Sequence, residues 1–182
     1  MSEGCTGIFY EDADGSTRLL VVLRDPVDPP TAPQRLRAVD YVRPFAHLKH
    51  VGTFSQIRHG QQAEQAGCDD ALLITAEGHI AETTIANIGF VRDDSLIWPS
   101  APMLDGIGQQ LIKGAVEDGG LRQEHATVTL GDLDTLDAAF TINSVGVAPV
   151  VQIDQHRFGS SHEHLHRIIE LHDALPWDRL AL

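Results

Sequence analysis

The stretch AGCDDALLITAEGHIAETTIANIGFV, residues 66–91, is the most informative part of the chain for its fold, because it contains two apolar runs separated by a turn and by the carboxylate of Glu82. DALLI (70–74) has the length and the continuous apolar character of a short buried strand. Glu77-Gly78 is a turn signal, and NIGFV (87–91) is predicted to form a hairpin with SLIWP (95–99). The middle of the chain is therefore predicted to be rich in strands.

Strand and helix patterns continue on both sides of this stretch. A capping box at Thr53 and Gln56 begins a predicted helix that Gly67 ends. A second helix is predicted from Asp105 or Gly106 to Gly119-Gly120, and its apolar side chains are Ile107, Leu111 and Ala115, with Ile112 and Val116 beside them. The other predicted elements are strands at 18–24, 35–43, 124–130, 138–142 and 148–154, a proline-rich connector at 24–34 and a helix from about 161 to Pro176.

The order of these elements does not follow a strict strand-helix-strand alternation, so it predicts an α+β domain with a mixed sheet. The chain has 182 residues, 42% of them hydrophobic, which favours one domain with a real core. Its formal charge of −13, from 26 acidic and 13 basic residues, disfavours nucleic acid or an anionic membrane as a partner. We expect a cytoplasmic protein, since neither a membrane span nor a signal peptide is evident.

Two groups of potentially reactive residues receive no role from the sequence. Cys5 and Cys68 lack the spacing of metal ligands, and we expect both to be reduced thiols. His162 and His166 are the histidines of SSHEHLHR that share a helix face, but no third ligand stands at a suitable spacing. We therefore predict no metal site.

Lys49 is one of two lysines in the chain, the other being Lys113. Phe45, Leu48, Val51 and Phe54 surround it in the sequence, and apolar surroundings favour the neutral, nucleophilic form of an amine. The alternative is a lysine whose ammonium extends into solvent.

Glu82 follows the apolar residues Ile80 and Ala81 and precedes small polar side chains, among them Thr83, Thr84 and Asn87. One interpretation is a half-exposed strand residue, since glutamates are rarely buried. The other depends on Lys49, because a carboxylate beside a pyridine nitrogen keeps that nitrogen protonated, as pyridoxal phosphate requires.

Several motifs occur together and in order. They are Lys49, then AG-D-ALL (66–73), then Glu82 five residues before Asn87, then LDGIGQQL (104–111) and FTINSVGVAPVVQID (140–154). This order resembles the class IV, or fold-type IV, pyridoxal-phosphate aminotransferases, which include branched-chain and D-amino-acid aminotransferases and aminodeoxychorismate lyase. The resemblance covers about residues 36–160. It implies the large-domain portion of the D-amino-acid-aminotransferase-like fold over residues 36–182, with residues 1–35 a remnant of the N-terminal region and its connector.

The resemblance also assigns roles to individual residues. It makes Lys49 the Schiff-base lysine that shuttles a proton, and Glu82 the partner of the pyridine nitrogen. The remaining cofactor-binding residues are Thr84 and Ile85 along the ring, Asn87 in support of the turn, the backbone of Ile107 and Gly108 at the phosphate, and Asn143 and Ser144 as its second wall.

The chain departs from the family pattern at three positions. Gly108 stands where a threonine is usual, and Asp105 stands where a proline is common, so that a negative charge lies near the phosphate position. Phe54 replaces the tyrosine of the branched-chain members. The resemblance further implies that most of the small N-terminal domain is absent, because only 48 residues precede Lys49.

These observations predict transfer of an amino group between an amino acid and a 2-oxo acid. NSVGVAPV (143–150) also resembles the lyase branch, so an aminodeoxychorismate-type lyase remains an alternative. A third possibility is a truncated cofactor-binding or interaction domain with little turnover. We expect a homodimer, because the open surface around Lys49 needs a cover.

Overall fold

The computed structural model describes residues 4–11, 14–25, 32–118, 121–159 and 162–176. The helices in that part are α1 (Phe54–Gln65), α2 (Ile107–Asp118) and α3 (Glu163–Asp173), with a short 3-10 helix at Leu130–Thr135. The strands are β1 (Gly4–Glu11), β2 (Thr17–Arg24), β3 (Gln34–Asp40), β4 (Asp70–Ile74), β5 (Ile80–Thr83), β6 (Asn87–Arg92), β7 (Ser95–Pro99), β8 (Arg122–Ala126), β9 (Ala138–Ile142), β10 (Val147–Ile153) and β11 (His156–Arg157).

Most of the strands form one mixed sheet that closes on itself. In this sheet β3 pairs in parallel with both β4 and β10. Antiparallel pairs then join β4 to β5, β5 to β6, β6 to β9 and β9 to β10. The last pair returns to the start, so the strands enclose a barrel, and β7 and β8 extend the sheet outward from β6. The prediction of an α+β fold with a mixed sheet or barrel and packed helices is confirmed.

Both faces of β4, β6 and β9 are buried, which explains their largely apolar sequences, whereas only Leu36 of β3 is buried. One set of alternating side chains, including Leu72, Ile88 and Phe90, forms the cluster inside the barrel. The other set packs against α2 and α3 on the outside. Its members are Val91, Leu96, Trp98, Ala138, Phe140, Ile142 and Val147, which meet Ile112, Val116, Leu165 and Ile168 of the helices.

Gly89 in the middle of β6 is required by a close approach. It pairs with Phe140 of β9, and a Cβ on Gly89 would lie 2.4 Å from the Phe140 ring. That ring also packs edge-on against Trp98, with centroids 5.6 Å apart. The aromatic side chain therefore fills the space that a residue larger than glycine would occupy.

The helices agree with the predictions in position but not in every detail. Thr53 precedes α1, and Gly67, in the left-handed region at φ +80°, follows it. The predicted capping box is wrong, because the Thr53 side chain accepts no hydrogen bond from the N–H groups at the start of α1. Gln56 is buried, and its side-chain amide donates to the carbonyl oxygen of Thr84 instead. In α2 the core positions are Ile112 and Val116, whereas Ile107 and Leu111 are exposed.

Other predictions compare as follows. The strand predicted at 124–130 ends at Ala126 and is followed by the 3-10 helix. The connector at 24–34, the Gly119-Gly120 helix end and the start of the last helix at 161 lie wholly or partly outside the described residues. Among the described strands, β1 and β2 pair only with each other, and the division of the chain at residue 35 stays a prediction. Within the described part, no helix has the length and apolar character needed to cross a membrane.

Candidate active site

Glu82 and Asn87 lie opposite each other where β5 turns into β6. Both are buried, with exposed fractions of 5% and 4%. The Leu104 N–H donates to Glu82 Oε2 at 3.2 Å, and Asn87 Nδ2 donates to the Leu104 carbonyl oxygen at 2.7 Å. The two side chains thus hold one residue of the segment that leads into α2. We call Glu82, Asn87 and Leu104 the carboxylate wall.

A β-bulge in β5 orients the Glu82 side chain. Leu72 pairs with Thr83 and Ile74 pairs with Ile80, so β5 uses one residue more than β4 between the two positions. A bulge of this kind disrupts the ladder locally and redirects a side chain. The carboxylate therefore lies at an irregular point of the barrel.

The electrostatics of Glu82 are those of a buried ion pair. Its Oε1 lies 3.7 Å from Nε of Arg43, which is also buried. Neither of these two atoms has a hydrogen-bond partner among the described residues. Burial raises the pKa of the Glu82 carboxyl, while the Leu104 N–H and the charges of Arg43 and Lys49 act in the opposite direction. Glu82 Oε1 is thus a buried acceptor that can take a further donor.

Lys49 lies in the loop at residues 41–53, between β3 and α1, which we call the lysine loop. The loop is held by the Arg43 guanidinium on Ala46 O and by the His50 ring on Pro44 O and Gly52 N. The Lys49 side chain is exposed. Phe45, Leu48, Val51 and Phe54 have exposed fractions of 70%, 50%, 72% and 80%. The prediction of apolar surroundings that bury Lys49 is therefore wrong, and the alternative of an ammonium in solvent agrees with the structure.

The turn that follows Glu82 is tied to two other elements. Thr84 Oγ1 donates to Asp70 Oδ1 of β4 at 2.6 Å, and Gln56 Nε2 of α1 donates to Thr84 O at 3.1 Å. Burial raises the pKa of Asp70, against the hydrogen bonds from Thr84 and Ala71. Ile85 at the tip of the turn is 76% exposed. Ile85 therefore presents an apolar surface on a turn whose position is fixed.

The start of α2 packs closely against the loop after β9. A Cβ on Gly108 would lie 2.4 Å from Asn143 O, and a Cβ on Gly106 would lie 2.2 Å from Asn87 Oδ1. The Asn143 side chain accepts from the N–H groups of Val145 and Gly146, at 2.8 and 3.3 Å, and so shapes that loop. Ile107 and Ser144 are exposed. The first N–H groups of a helix have no partner within it, so this end of α2 suits an anion.

These features bring most of the predicted residues into one region. Asn87 contacts the segment before α2, and Gly108 approaches Asn143 closely, so the carboxylate wall lies beside the predicted phosphate-binding residues. Lys49 is close enough to Glu82 for its charge to act on that carboxyl. A buried carboxylate oxygen without a partner, a glycine-lined helix start and a nearby amine fit a pyridine ring that carries an aldehyde and a phosphate. The residues therefore fit pyridoxal phosphate.

Sequence reasoning missed four contributors to this region. They are Arg43, the backbone of Leu104, Gln56 and Asp70. A signal existed for Arg43, since a buried carboxylate needs a cation or several donors, and Arg43 precedes Lys49 in the same loop. No local pattern pointed to the other three.

Outside this region the described residues offer little that resembles a site. They contain no group of three or more histidines, cysteines or acids placed to hold a metal ion. His162 caps α3, with Nδ1 accepting from the His164 N–H at 3.3 Å. Cys68 is a free thiol, as expected. Two surface grooves, one between β3 and α1 and one on α3, include none of the predicted site residues.

Solved structures share this fold. A protein from Legionella pneumophila, named as a 4-amino-4-deoxychorismate lyase, superposes with a TM-score of 0.81 and 26% identity over 86% of this chain and 61% of that chain. A fold IV transaminase from Curtobacterium pusillum gives a TM-score of 0.83 and 17% identity over 94% of this chain and 65% of that one. The predicted fold-type IV architecture is therefore confirmed.

Sequence comparison leads to the same group of proteins. A protein from Rickettsia felis, named as a branched-chain-amino-acid aminotransferase, is 36% identical over 96 residues, which are 52% of this chain and 33% of that protein. The match thus spans a third of the length of this curated relative. The profile of the family described as amino-transferase class IV matches residues 3–153. This match covers most of the length of the chain, so the chain belongs to the class IV aminotransferase family.

Proposed function

We propose that this chain binds pyridoxal phosphate and transfers an amino group between an amino acid and a 2-oxo acid. The observation that carries the proposal is the buried Glu82 carboxylate, whose Oε1 has no hydrogen-bond partner among the described residues. A carboxylate in that state is well placed to accept the N–H of a protonated pyridine. When bound, pyridoxal phosphate supplies an aldehyde carbon for amine exchange and a ring that withdraws electrons.

Glu82 needs its neighbours in order to do this. Burial raises the pKa of the carboxyl, whereas the Leu104 N–H and the Arg43 and Lys49 charges favour the ionised form. In this proposal the ionised carboxylate keeps the pyridine nitrogen protonated. Leu104 retains Oε2 as its acceptor, which leaves Oε1 for the ring.

Lys49 would hold the cofactor through its amine and would carry the proton that leaves the substrate α-carbon. Its solvent exposure in this chain suits the capture of an aldehyde from solution. Thr84 and Ile85 would line the ring, and Asn87 would support the turn through Leu104. The backbone of Ile107 and Gly108 would receive the phosphate, with Asn143, which Gly108 approaches closely, and Ser144 as the facing wall.

Reduction with borohydride tests the tether. The protein is mixed with excess pyridoxal phosphate, reduced and digested, and the modified peptide is identified by mass spectrometry. We expect label on Lys49 and not on Lys113, the chain's other lysine. Lys49→Arg keeps the charge and should abolish the label. Label on Lys113 alone, or on neither lysine, contradicts the assignment.

Substitution of Glu82 by glutamine tests the electron-withdrawing role. A neutral amide does not hold the ring nitrogen protonated, so Glu82→Gln should still label at Lys49 while amino-acid deprotonation slows by at least tenfold. Single-turnover kinetics with an amino-acid donor measures that step. Equal rates in the variant and the parent would remove Glu82 from the mechanism.

A lyase of the aminodeoxychorismate kind is the second candidate. It is favoured by the Asn143-Ser144 loop and by the likeness to the Legionella protein of that name. The two reactions differ in their products, because the lyase releases pyruvate without consuming an acceptor 2-oxo acid. An amino-donor screen run beside a pyruvate assay with 4-amino-4-deoxychorismate distinguishes them. Cofactor binding without either product would indicate a binding domain with little turnover.

We also propose that the protein acts as a homodimer. The lysine loop and the first turns of α1 expose large apolar side chains, which a second copy of the chain could cover. The main ones are Phe45, Val51, Phe54 and Ile57, with exposed fractions of 70%, 72%, 80% and 57%. Light scattering of the purified chain, with and without pyridoxal phosphate, tests this directly.

A further inference from the structure

Lys113 belongs to a cluster of polar and aromatic side chains that lies beside the start of α2 and that the proposed reaction does not use. Its Nζ lies 3.9 Å from Asp105 Oδ1 and 5.5 Å from the centroid of the Trp98 ring. Trp98 donates from Nε1 to Gln123 Oε1 at 3.1 Å, and Gln123 Nε2 donates to Lys113 O at 2.9 Å. The cluster therefore joins α2 to β7 and β8.

Asp105 places a negative charge beside the start of α2. It lies two residues before α2 begins, where a carboxylate competes with any other anion for the positive end of the helix dipole. Its backbone is fixed, because Gln110 Nε2 donates to Asp105 O at 2.8 Å and the Gln110 N–H donates to Gly106 O at 3.0 Å. The carboxylate is thus kept close to the proposed phosphate position.

The Lys113 ammonium lies 3.9 Å from the Asp105 carboxylate, close enough to offset its negative charge. Its side chain is only 24% exposed, while that of Asp105 is 69% exposed. Burial lowers the pKa of Lys113, and the Asp105 carboxylate acts against that shift. The ammonium therefore lies between the indole face of Trp98 and the carboxylate of Asp105.

We propose that Lys113 is a positioning residue for cofactor binding, because it holds and neutralises Asp105 so that the start of α2 keeps its affinity for a phosphate group. This inference rests on the proposed function. In this chain the Lys113 ammonium offsets the negative charge of Asp105, which lies just before α2. Lys113 acts through Asp105 and does not contact the phosphate itself.

Four proteins test the inference: the parent, Asp105→Asn, Lys113→Met and the double variant. Titration of pyridoxal phosphate by absorbance gives its Kd, and competition with inorganic phosphate separates phosphate binding from reaction with an amine. Lys113→Met should weaken binding of both ligands about three- to fivefold, which is the effect of one exposed charge pair. The same substitution in the Asp105→Asn background should change the Kd less than about twofold.

Two controls match the changes in net charge. Arg92 and Glu124 form another ion pair, between β6 and β8. Their side chains are 43% and 49% exposed, so the mean exposure of this pair is similar to that of Lys113 and Asp105. Glu124→Gln and Arg92→Met alter the net charge by the same amounts as the two test substitutions. Both should leave the Kd within about twofold of the parent, since exposed charges a Debye length or more apart are largely screened.

NMR titration of His125 reports on the cluster without any ligand. Burial is the main cause that lowers the pKa of His125. The charge of Lys113 lowers that pKa further, and the charge of Asp105 raises it. Lys113→Met should therefore raise the pKa of His125, and Asp105→Asn should lower it. Unchanged values would show that the cluster is not formed.

The outcomes separate the inference from the proposed function. If the parent binds pyridoxal phosphate and Lys113→Met weakens binding equally in both backgrounds, the inference is overturned and the proposed function stands. If the parent binds neither pyridoxal phosphate nor inorganic phosphate, both are overturned. A loss confined to the background that retains Asp105 supports the inference.

Discussion

The two sides of the candidate site differ in how they are held. On the carboxylate wall, Glu82 and Asn87 are buried and each is bonded to Leu104. In the lysine loop, Lys49 is exposed, and its apolar neighbours Phe45 and Val51 contact solvent over most of their surface. Glu82 and Asn87 lie on barrel strands, whereas the lysine loop lies outside the barrel.

This difference shows which half of the site the chain builds by itself. Barrel closure and hydrogen bonds determine the wall, so it does not need a ligand or a partner in order to form. The loop has internal hydrogen bonds, but no described element covers its apolar side chains. Substitutions in the wall should therefore reduce stability, and substitutions in the loop should act on association and ligand binding.

Gly108→Ala should have the largest effect on stability. The new Cβ would lie 2.4 Å from the backbone oxygen of Asn143, which cannot move without disturbing the loop after β9. We expect the free energy of unfolding to fall by about 3 kcal/mol, as for other overpacked sites. Urea denaturation followed by circular dichroism measures it.

Gly114 provides the matched control for this change, since it lies in the same helix and a Cβ there meets nothing within 4 Å. Gly114→Ala should stabilise the protein by about 0.5–1 kcal/mol, because alanine favours helix more than glycine does. If both glycine variants shift stability in the same direction, the close contact at Gly108 is not what the structure indicates.

Asn87→Ala should cost about 2 kcal/mol, because it removes the side-chain donor from the carbonyl oxygen of Leu104. His50→Ala in the lysine loop removes contacts of similar number, to Pro44 O and Gly52 N, but these are exposed. It should change the free energy of unfolding by less than about 0.5 kcal/mol. Equal losses in the two variants would remove the distinction between wall and loop.

The sequence predicted local elements of the candidate site but not its long-range contacts. It predicted strands at 70–74 and 87–91 and the hairpin of 87–91 with 95–99, which β6 and β7 form, but not β5, which places Glu82 opposite Asn87. Leu104 lies 22 residues from Glu82, and no local pattern encodes a contact over that distance. The capping box failed for the same reason, because Gln56 instead bonds Thr84 of the distant turn.

For the lysine loop the sequence left two interpretations of Lys49 open, and the structure favours the exposed one. Lys49 and its neighbours Phe45, Leu48, Val51 and Phe54 are exposed, which agrees with an ammonium in solvent and with the predicted open surface around Lys49. Apolar composition alone indicates burial only where another element covers the residues. Apolar residues that no described element covers are typical of an interaction surface.

Glu82→Gln should change how stability depends on pH. Burial raises the pKa of Glu82 in the folded protein above its ordinary value of 4.5, so the folded state binds this proton more tightly than the unfolded state does. The stability of the parent should therefore fall, relative to the variant, as the pH rises from about 4.5 through the raised pKa. The slope between those two pH values should be negative and at most about 1.4 kcal/mol per pH unit, the limit for one proton.

Arg43 does not obscure this comparison. The variant leaves its guanidinium without a counterion, but arginine stays charged throughout the range, so that cost is constant with pH. The difference between the two proteins, measured by urea denaturation from about pH 4 to about pH 8, isolates the carboxyl. Parallel stability curves would mean that Glu82 is not perturbed by burial.

Val51→Ser and Phe54→Ser should have the smallest effect on stability and the clearest effect on association. Both side chains are exposed, at 72% and 80%, so the free energy of unfolding of the isolated chain should change by less than about 0.5 kcal/mol. If a second copy covers the lysine loop, each serine removes apolar area from that contact. Sedimentation velocity over a concentration series should then show a weaker dimer in both variants and an unchanged one in His50→Ala. A parent that stays monomeric at high concentration, with exposed Val51 and Phe54, would instead leave the loop as a surface for a different partner.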